Sequence, residues 1–344
     1  MAKRRIYMDW NATAPLAPAA RETMAEAMAV LGNPSSIHGE GRAARRLVEA
    51  ARAKIAAFVG AAPDQVIFTS GGTEANALAL AERDWLAGTS EHASALDHAA
   101  GPRLAVDGGG RICPTSIPAG AAVALMAANN ETGAIHPLAD IGQRVRETGG
   151  LWHCDAVQAA GRLDLATIDA DSLALSAHKL GGPMGVGALV LRTERVLHGS
   201  IRGAQERRRR GGTENVVGIA GFGAVARPLP DMAALRDYLE AQLEGAVFYS
   251  RNGPRLSNTS CIGMPGVPSE TQVMIFDLEG FAVSAGAACS SGKVEASHVL
   301  RAMGVGEIAA GEAIRVSLGP GLTDNDIDAF AEAWNRLAAR FRSR

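Results

Sequence analysis

The chain has 344 residues, long enough for two domains around a sizeable core, and its formal net charge of −2 excludes a general electrostatic attraction to nucleic acid. Hydrophobic residues make up 47% of the chain, but no apolar run approaches the length of a membrane span. The four cysteines contain no C-x-x-C pair, which argues against a zinc site and predicts free thiols in a reducing compartment.

Two short basic segments bear on targeting and partners. The first, over residues 3–5, resembles the start of a signal peptide, but Asp9 lies in the stretch that follows, where a signal peptide would be apolar. We therefore predict no targeting signal and a cytoplasmic protein. The second, Arg207 to Arg210, is better interpreted on charge alone as a solvated loop than as a site for a polyanion.

Helical and strand-like segments alternate over the first two thirds of the chain. Apolar residues at three- and four-residue spacing predict a helix over 41–59. A short apolar strand over 66–69 continues through a glycine-containing turn, 70–73, into an alanine-rich helix predicted at about 74–86. Further strands are predicted at 123–126, 151–154, 173–176 and 187–191.

This alternation predicts an α/β protein whose mainly parallel sheet is sandwiched by helices. The last third of the chain differs, because a helix over 233–243 leads into short strands and a terminal helix over 324–341. We therefore predict a large domain over 14–246 and a smaller α+β domain formed by 1–13 and 247–344.

Polar residues follow four of the predicted strands. Thr73, Asn130, Asp155 and Lys179 each come close after a strand. Ligands of parallel sheets bind at the carboxyl ends of the strands, so we expect these four side chains to converge on one edge. Their convergence would be a stronger signal than any one of the motifs.

The turn before the alanine-rich helix is a candidate phosphate site. Gly71 and Gly72 would let the backbone approach an anion, and the helix N-terminus and the Thr73 hydroxyl would supply donors. A tight turn with a threonine cap explains the same residues equally well. The segment lacks the Gly-Lys-Ser/Thr of a Walker motif.

Several side chains suit a carbonyl cofactor with a pyridine ring. Lys179 is a candidate for a buried reactive amine, although an exposed turn lysine is commoner. Asp155 could pair with a ring nitrogen or could cap a helix. His92 could stack on a ring or relay protons, and Asn130 and Gln158 could contact a ring oxygen, but each could also be structural.

Cys289 lies in a segment of small residues, 284–293, that includes two glycines. Such a segment has little to pack, so we expect it to be mobile and its thiol to be exposed, with Lys293 favouring the thiolate. The alternative role of a cysteine, as a small buried hydrophobe, fits Cys154 and Cys261 better.

Taken together, these motifs resemble those of the cysteine desulfurases, the NifS/IscS-like branch of the class V aminotransferase family, which are fold-type I enzymes that use pyridoxal 5′-phosphate (PLP). The resemblance runs from Tyr7 to about Leu322. The segments that carry it are 7–15, 33–38, 68–76, 129–133, 155–158, 176–179, 205–207, 212–215, the Cys289 loop and 314–317.

The resemblance implies a homodimer that converts L-cysteine to L-alanine and holds the sulfur as a persulfide on Cys289. The sulfur would pass to an acceptor protein in iron–sulfur cluster assembly or thiolation. The implied catalytic residues are Cys289, Lys179 and His92. The residues implied to bind PLP are Gly72, Thr73, His92, Asn130, Asp155, Gln158, Ser176, His178, Lys179 and, from the neighbouring subunit, Thr213. Asn33 and Arg315 are implied to bind the substrate carboxylate, which suits a guanidinium. No metal is implied.

Other functions remain open at this point. One is another PLP reaction on the same fold, such as transamination or selenocysteine lysis, and another is a non-catalytic scaffold. Cys289 argues against transamination, which has no use for a thiol, and the intact Lys179 and Asp155 argue against a scaffold. Because related enzymes carry a longer tail, we also expect weaker docking of a scaffold protein at the C-terminus.

Overall fold

The computed structural model of the protein describes residues 4–81, 83–193, 201–286 and 296–342. Cys289 and Lys293, both part of the predicted loop, lie outside these ranges. Within them, no helix is both long enough and apolar enough to cross a bilayer.

The helices and strands follow one another in the alternating order that the sequence predicts. The α-helices are α1 (Pro18–Met28), α2 (Gly39–Val59), α3 (Gly72–Leu80), α4 (Ala93–Leu96), α5 (Leu138–Glu147), α6 (Val216–Ala224), α7 (Ala233–Gln242), α8 (Ser269–Glu279), α9 (His298–Ala302), α10 (Glu307–Gly311) and α11 (Asp324–Arg342). The strands are β1 (Ile6–Tyr7), β2 (Val66–Thr69), β3 (Leu86–Gly88), β4 (Arg103–Leu104), β5 (Ala122–Ala124), β6 (Leu151–Asp155), β7 (Ser172–Ser176), β8 (Gly187–Leu191), β9 (Val247–Tyr249), β10 (Thr259–Gly263), β11 (Phe281–Ala282), β12 (Ser284–Ala285) and β13 (Ala313–Ser317).

The largest sheet has seven strands in the order β2-β8-β7-β6-β5-β3-β4. Neighbours from β7 to β4 are parallel, and β8 runs antiparallel to both β2 and β7. All residues of β7 and β8 are buried, as expected for strands covered on both faces. The α/β class and the mainly parallel sheet are therefore confirmed, with β8 as the exception.

Helix α2 agrees closely with its predicted span of 41–59. It begins two residues earlier, at Gly39, because the His38 ring accepts a hydrogen bond from the backbone of Gly41. It ends at Gly60, which adopts the left-handed conformation (φ 65°) that glycine tolerates without strain.

The predicted helix over 74–86 is wrong at its C-terminal end. The helix stops at Leu80, and Leu86–Gly88 instead form strand β3. Ala87 pairs with both Ala124 of β5 and Arg103 of β4. Backbone pairing with two distant strands therefore outweighs the helix propensity of the alanine-rich segment.

Two smaller sheets are formed mainly by residues that follow the large sheet in the sequence. Strands β12-β13-β10-β9 form an antiparallel sheet, and β1 pairs with β11. Their apolar core is separate from that of the large sheet and contains Phe276, Phe330 and Trp334. Met8, from the N-terminus, also belongs to this core, as does Leu239 of α7, which precedes the predicted domain boundary at 246.

Candidate active site

A cavity of about 470 Å³ lies at the carboxyl ends of the large sheet's parallel strands, bordered on its other side by β12 and β13. Thr73, Asn130, Asp155 and Lys179 all line it, so the four side chains expected to converge do meet at one site. Arg315, on β13, lines the same cavity from the smaller sheet. The site therefore combines residues from both halves of the chain.

One end of the cavity suits a phosphate group. Helix α3 begins at Gly72, immediately after the turn that follows β2, so its first N–H groups lack helical partners. A Cβ atom on Gly72 would lie 2.6 Å from Cγ2 of Val157, so the backbone comes too close here for a side chain. Ser176 and His178 line the cavity beside it. These donors around a glycine turn fit an anion at a helix N-terminus.

His178 is a neutral member of this group at physiological pH. Burial and the neighbouring charge of Lys179 lower the pKa of its ring to about 4. Its Nδ1 lies 3.1 Å from the Thr13 hydroxyl. His178 can therefore donate or accept one hydrogen bond at this end of the cavity without adding a positive charge.

Lys179 is placed by a single 3₁₀ turn that follows β7. Its Nζ donates to the carbonyl oxygens of Asn11, at 2.6 Å, and Ala12, at 2.8 Å. Burial is the main reason that its pKa falls to about 8, and repulsion by Arg315 and Arg162 adds to the effect. A substantial fraction of this amine is therefore uncharged near neutral pH, as a nucleophilic or proton-accepting lysine requires.

Asp155 ends β6 with a carboxylate that is 8% exposed. Its Oδ2 accepts a hydrogen bond from Asn76 Nδ2 at 2.8 Å, and its Oδ1 accepts one from the backbone N–H of Val157 at 3.0 Å. Both proposed roles are thus compatible with its position, since it caps the following turn and also faces the cavity.

Gln158 carries a buried acceptor that has no partner. Its Nε2 donates to the carbonyl oxygen of Asn11 at 2.9 Å, which orients the amide. Its Oε1 is buried and accepts no hydrogen bond from any residue that the structure describes. A buried acceptor without a donor is costly, so this atom indicates a ligand donor in the cavity.

His92 lies at the mouth of the cavity, where it caps the short helix α4. Its Nδ1 lies 2.8 Å from the hydroxyl of Ser94 and accepts the backbone N–H of the same residue at 3.1 Å. The ring is exposed, and its second nitrogen forms no hydrogen bond within the described part of the chain, so it remains available to a ligand.

Arg315 is a buried guanidinium, 6% exposed, with donors left over. Its Nη2 pairs with Asp9 Oδ1 at 2.8 Å and its Nη1 donates to the carbonyl oxygen of Asn130 at 3.1 Å. Its Nε is buried and has no hydrogen-bond partner among the described residues. Because an arginine can bind a carboxylate through two N–H groups, Arg315 is suited to hold an anionic substrate group.

The structure does not bring two of the predicted site residues to this cavity. Asn33 is exposed, and its Oδ1 accepts a hydrogen bond from the backbone of Ser35. Thr213 is also exposed, just before α6. Neither residue is among those that line the cavity, so their roles stay predictions.

Three arginines of the basic segment Arg207 to Arg210 bind acceptor groups of the same chain. Arg207 and Arg209 each donate to the carbonyl oxygen of Asp64 at 3.0 Å. Arg210 pairs with Glu74 at 2.8 Å. These contacts favour the structural interpretation of the run over a polyanion site.

The described cysteines are not candidates for the mobile thiol. Cys154 and Cys261 are buried, which raises the pKa of both thiols, and Cys113 is exposed. None of the three lines the cavity. None of these three cysteines is therefore an alternative to Cys289 as the sulfur-accepting thiol.

Sequence reasoning overlooked two residues of the site, although both lie in motifs that it used. Glu131 is buried, lines the cavity and accepts a hydrogen bond from Ser297, and its burial raises the pKa of its carboxyl. Asn76 contacts Asp155 from α3. A search for buried polar types at the start of α3 would have singled out Asn76.

Known proteins resemble the chain over nearly its whole length. The model of the family "Aminotransferase class-V" matches residues 6–106 and 114–330. A cysteine desulfurase of Cereibacter sphaeroides is 40% identical, covering 98% of this chain and 97% of that one. The cysteine desulfurase IscS of Dictyoglomus turgidum is 35% identical, with 99% and 96% covered.

Solved structures agree with these relatives. The X-ray structure of a NifS-like protein from Rickettsia africae superposes with a TM-score of 0.89 at 31% identity, covering 98% of this chain and all of that one. The apo structure of a cysteine desulfurase from Thermococcus onnurineus, at 21% identity and a TM-score of 0.85, has the same fold. The chain therefore belongs to the class-V aminotransferase family and, within it, to the cysteine desulfurases.

Proposed function

We propose that this protein binds PLP at Lys179, converts L-cysteine to L-alanine, and holds the released sulfur as a persulfide on Cys289. The observation that carries the proposal is the meeting of Lys179, Asp155 and Arg315 in one cavity. An amine with a lowered pKa, a carboxylate for a ring nitrogen and a guanidinium for a substrate carboxylate are the groups that PLP chemistry on an amino acid needs.

The residues that line the cavity fit PLP. The turn at Gly72 and the side chains of Ser176 and His178 would hold the phosphate, and the unpartnered Oε1 of Gln158 would accept from a ring hydroxyl. Asp155 would face the ring nitrogen. When bound, PLP supplies an electron sink that makes the Cα–H bond of an amino acid acidic.

Proton transfer at Cα is the task of Lys179. Its pKa of about 8 lets the amine take a proton at neutral pH and give it back, since neither form is strongly disfavoured. The carbonyl oxygens of Asn11 and Ala12 hold its Nζ at the cavity wall. His92, which also lines the cavity, would cover the ring of a bound cofactor.

Substrate orientation depends on Arg315. Arg315 lines the cavity and has N–H bonds beyond those that reach Asp9 and the carbonyl oxygen of Asn130, and these can bind the carboxylate of L-cysteine. Asp9 is held in turn by the hydroxyl of Ser284 at 2.8 Å. Arg315 and Lys179 line the same cavity, so a substrate held by its carboxylate at Arg315 would lie within the same site as the Lys179 amine. Asn33 remains a second proposed contact to the carboxylate.

Sulfur removal is the proposed task of Cys289. Its thiolate attacks the substrate sulfur, so a sulfur–sulfur bond forms while the Cβ–S bond breaks with its electron pair on carbon, and that carbon takes up a proton to give L-alanine. Gly286, three residues before Cys289, lines the cavity. Three residues span roughly 10 Å at most, which is enough to reach the substrate.

Further parts of the proposal concern assembly and location. We propose a cytoplasmic homodimer in which Thr213 completes the phosphate site of the partner, and a protein acceptor in iron–sulfur cluster assembly or thiolation. Leu31 and Ile37, which flank Asn33 in sequence, are highly exposed. A subunit contact over this segment would bury both side chains.

The substitution Cys289→Ser tests the function. Serine is nearly isosteric but forms no persulfide, so alanine formation from L-cysteine should fall roughly a hundred-fold or more. Mass spectrometry should detect an additional sulfur on the wild-type protein and none on the variant. Cys113→Ser, which changes an exposed thiol away from the cavity, is the matched control and should behave as wild type. Alanine release by Cys289→Ser at the wild-type rate would show that the mechanism is wrong.

A further inference from the structure

A continuous row of buried polar side chains lies behind the cavity. The Ser172 hydroxyl is 2.9 Å from His153 Nδ1, and His153 Nε2 is 2.9 Å from the Oδ1 of Asn76. Asn76 Nδ2 then reaches Asp155 Oδ2 at 2.8 Å. Ser172 and Asn76 are fully buried, and His153 is 1% exposed. The sulfur chemistry proposed above uses neither His153 nor Asn76.

The direction of each hydrogen bond in the row follows from the chemistry of its members. An amide oxygen can only accept, so His153 Nε2 carries a proton and donates to Asn76 Oδ1. The other ring nitrogen of a neutral His153 then accepts from the Ser172 hydroxyl. The opposite orientation of the Asn76 amide would place its oxygen against the Asp155 carboxylate, where two acceptors would face each other.

Both N–H bonds of the Asn76 amide are therefore directed toward the site. One reaches Asp155, and the other reaches the Ser94 hydroxyl at 2.9 Å. Because that hydroxyl accepts from Asn76, it can donate its own proton to His92 Nδ1, 2.8 Å away. His92 then carries its proton on Nε2, the nitrogen available to a ligand. Asn76 thus connects the proposed partner of the ring nitrogen with the proposed ring-stacking residue.

We propose that Asn76 is a positioning residue for the cofactor ring, with its amide orientation fixed by the buried His153–Ser172 pair. This inference rests on the proposed function, since it assumes that Asp155 faces the ring nitrogen of PLP. A fully satisfied buried row is rigid, because breaking any one bond leaves an unpaired polar group away from water. Asp155 is thereby held in one orientation before any ligand arrives.

The test compares two ligands that differ only at the ring nitrogen. Apoprotein is titrated with PLP and with 1-deazapyridoxal 5′-phosphate, in which a C–H group replaces that nitrogen, and the ratio of the two dissociation constants is measured. The ratio reports the contact between Asp155 and the ring nitrogen. A substitution that only loosens the cavity should weaken both ligands equally and leave the ratio unchanged.

We expect Asn76→Ala to reduce the preference for PLP over the deaza analogue roughly ten-fold, the order expected for losing a hydrogen bond to a charged group. Asn76→Leu is close in size and uncharged but donates neither bond, so it should behave likewise and serves if the alanine variant folds poorly. Ser172→Ala, which leaves the contact between Asn76 and Asp155 intact, should give a smaller reduction. Asn335→Ala removes an asparagine amide far from the cavity and should leave the ratio unchanged.

The outcomes separate this inference from the proposed function. If wild-type protein prefers PLP and folded Asn76→Ala and Asn76→Leu keep the full preference, Asn76 does not position Asp155 and the inference is wrong. If wild-type protein binds both ligands equally well, Asp155 does not contact the ring nitrogen. The proposed role of Asp155 is then wrong, and the inference about Asn76, which rests on it, is wrong as well. A reduced preference in both Asn76 variants, smaller in Ser172→Ala, supports the inference.

Discussion

Lys179 owes its reactivity to its neighbours more than to its place in the sequence. Burial lowers the pKa of the amine, and the positive charges of Arg315 and Arg162 lower it further, while Asp155 and Asp9 act in the opposite direction. The result, a pKa of about 8, makes this lysine far more reactive near neutral pH than an exposed one. Arg315 therefore influences the amine as well as the substrate.

Removing the charge of Arg315 should raise the pKa of Lys179. In wild-type apoprotein, the rate of PLP capture, followed by visible absorbance, should increase with pH and reach half of its maximum near pH 8, because only the uncharged amine reacts. In Arg315→Gln the midpoint should move to higher pH. The exposed Arg301→Gln is the control and should keep the wild-type midpoint. A midpoint that stays fixed or falls in Arg315→Gln would contradict this account.

Asp9 orients the guanidinium of Arg315. It pairs with Nη2 of Arg315, so Asp9→Asn should let the guanidinium turn away from the substrate carboxylate. We expect KM for L-cysteine to rise roughly ten-fold with a smaller change in kcat, since a charge-assisted hydrogen bond is lost from substrate binding. Steady-state kinetics measure both constants. Asp277→Asn, which changes a surface ion pair, should alter neither, and a loss confined to kcat in Asp9→Asn would count against the assignment.

At the scale of elements, the junction between β2 and α3 decides where an anion can bind. The strand ends at Thr69 and the helix begins at Gly72, so the first turn of α3 faces the cavity. Sequence reasoning located this junction but left the choice between a phosphate site and an ordinary turn open. Ser176 and His178 add donors beside the first turn of α3, and these favour the phosphate site.

Gly72→Ala should weaken PLP binding. The new Cβ would lie 2.6 Å from Cγ2 of Val157, a stiff side chain, so either that residue or the start of α3 must move. We expect the dissociation constant for PLP to rise roughly ten-fold or more, measured by equilibrium titration. Gly39→Ala, at the first position of α2, is the matched control, because its Cβ would meet nothing within 4 Å. Equal affinity in Gly72→Ala and wild type would show that the turn does not hold the phosphate.

At the scale of the whole molecule, the proposed homodimer determines whether the site is complete. Thr213 does not line the cavity of its own chain and is exposed. A residue that contacts the phosphate in the partner's active site would be exposed in this way and would lie outside the cavity of its own chain. The proposal therefore assigns each active site to two chains.

Mixed dimers test this assignment. Lys179→Ala and Thr213→Ala chains, each defective alone, are co-expressed with different tags and purified as heterodimers. If Thr213 acts in the partner's site, one of the two sites contains both intact residues, so activity should return to roughly half that of the wild-type dimer. The control is a mixture of the two homodimers, which should stay inactive. Heterodimers no more active than that mixture would place Thr213 outside the shared site.

The sequence by itself determined the elements and the chemistry. Apolar spacing predicted α2 and five strands of the large sheet, β2 and β5 to β8, to within a few residues, because burial on one face imposes a period on the sequence. The order of its motifs indicated the family, and the strand-end residues that line the cavity were found in advance. Those features depend on local pattern or on residue type, both of which are written directly in the chain.

Only the tertiary structure decided how distant segments act on one another. It ended α3 at Leu80 by pairing β3 with two other strands, and it left Asn33 outside the cavity. It also gave Lys179 its lowered pKa and connected Asn76 with Asp155. Each of these depends on residues far apart in sequence, and hydrogen bonding, desolvation and charge repulsion act through distances in space that no local pattern encodes.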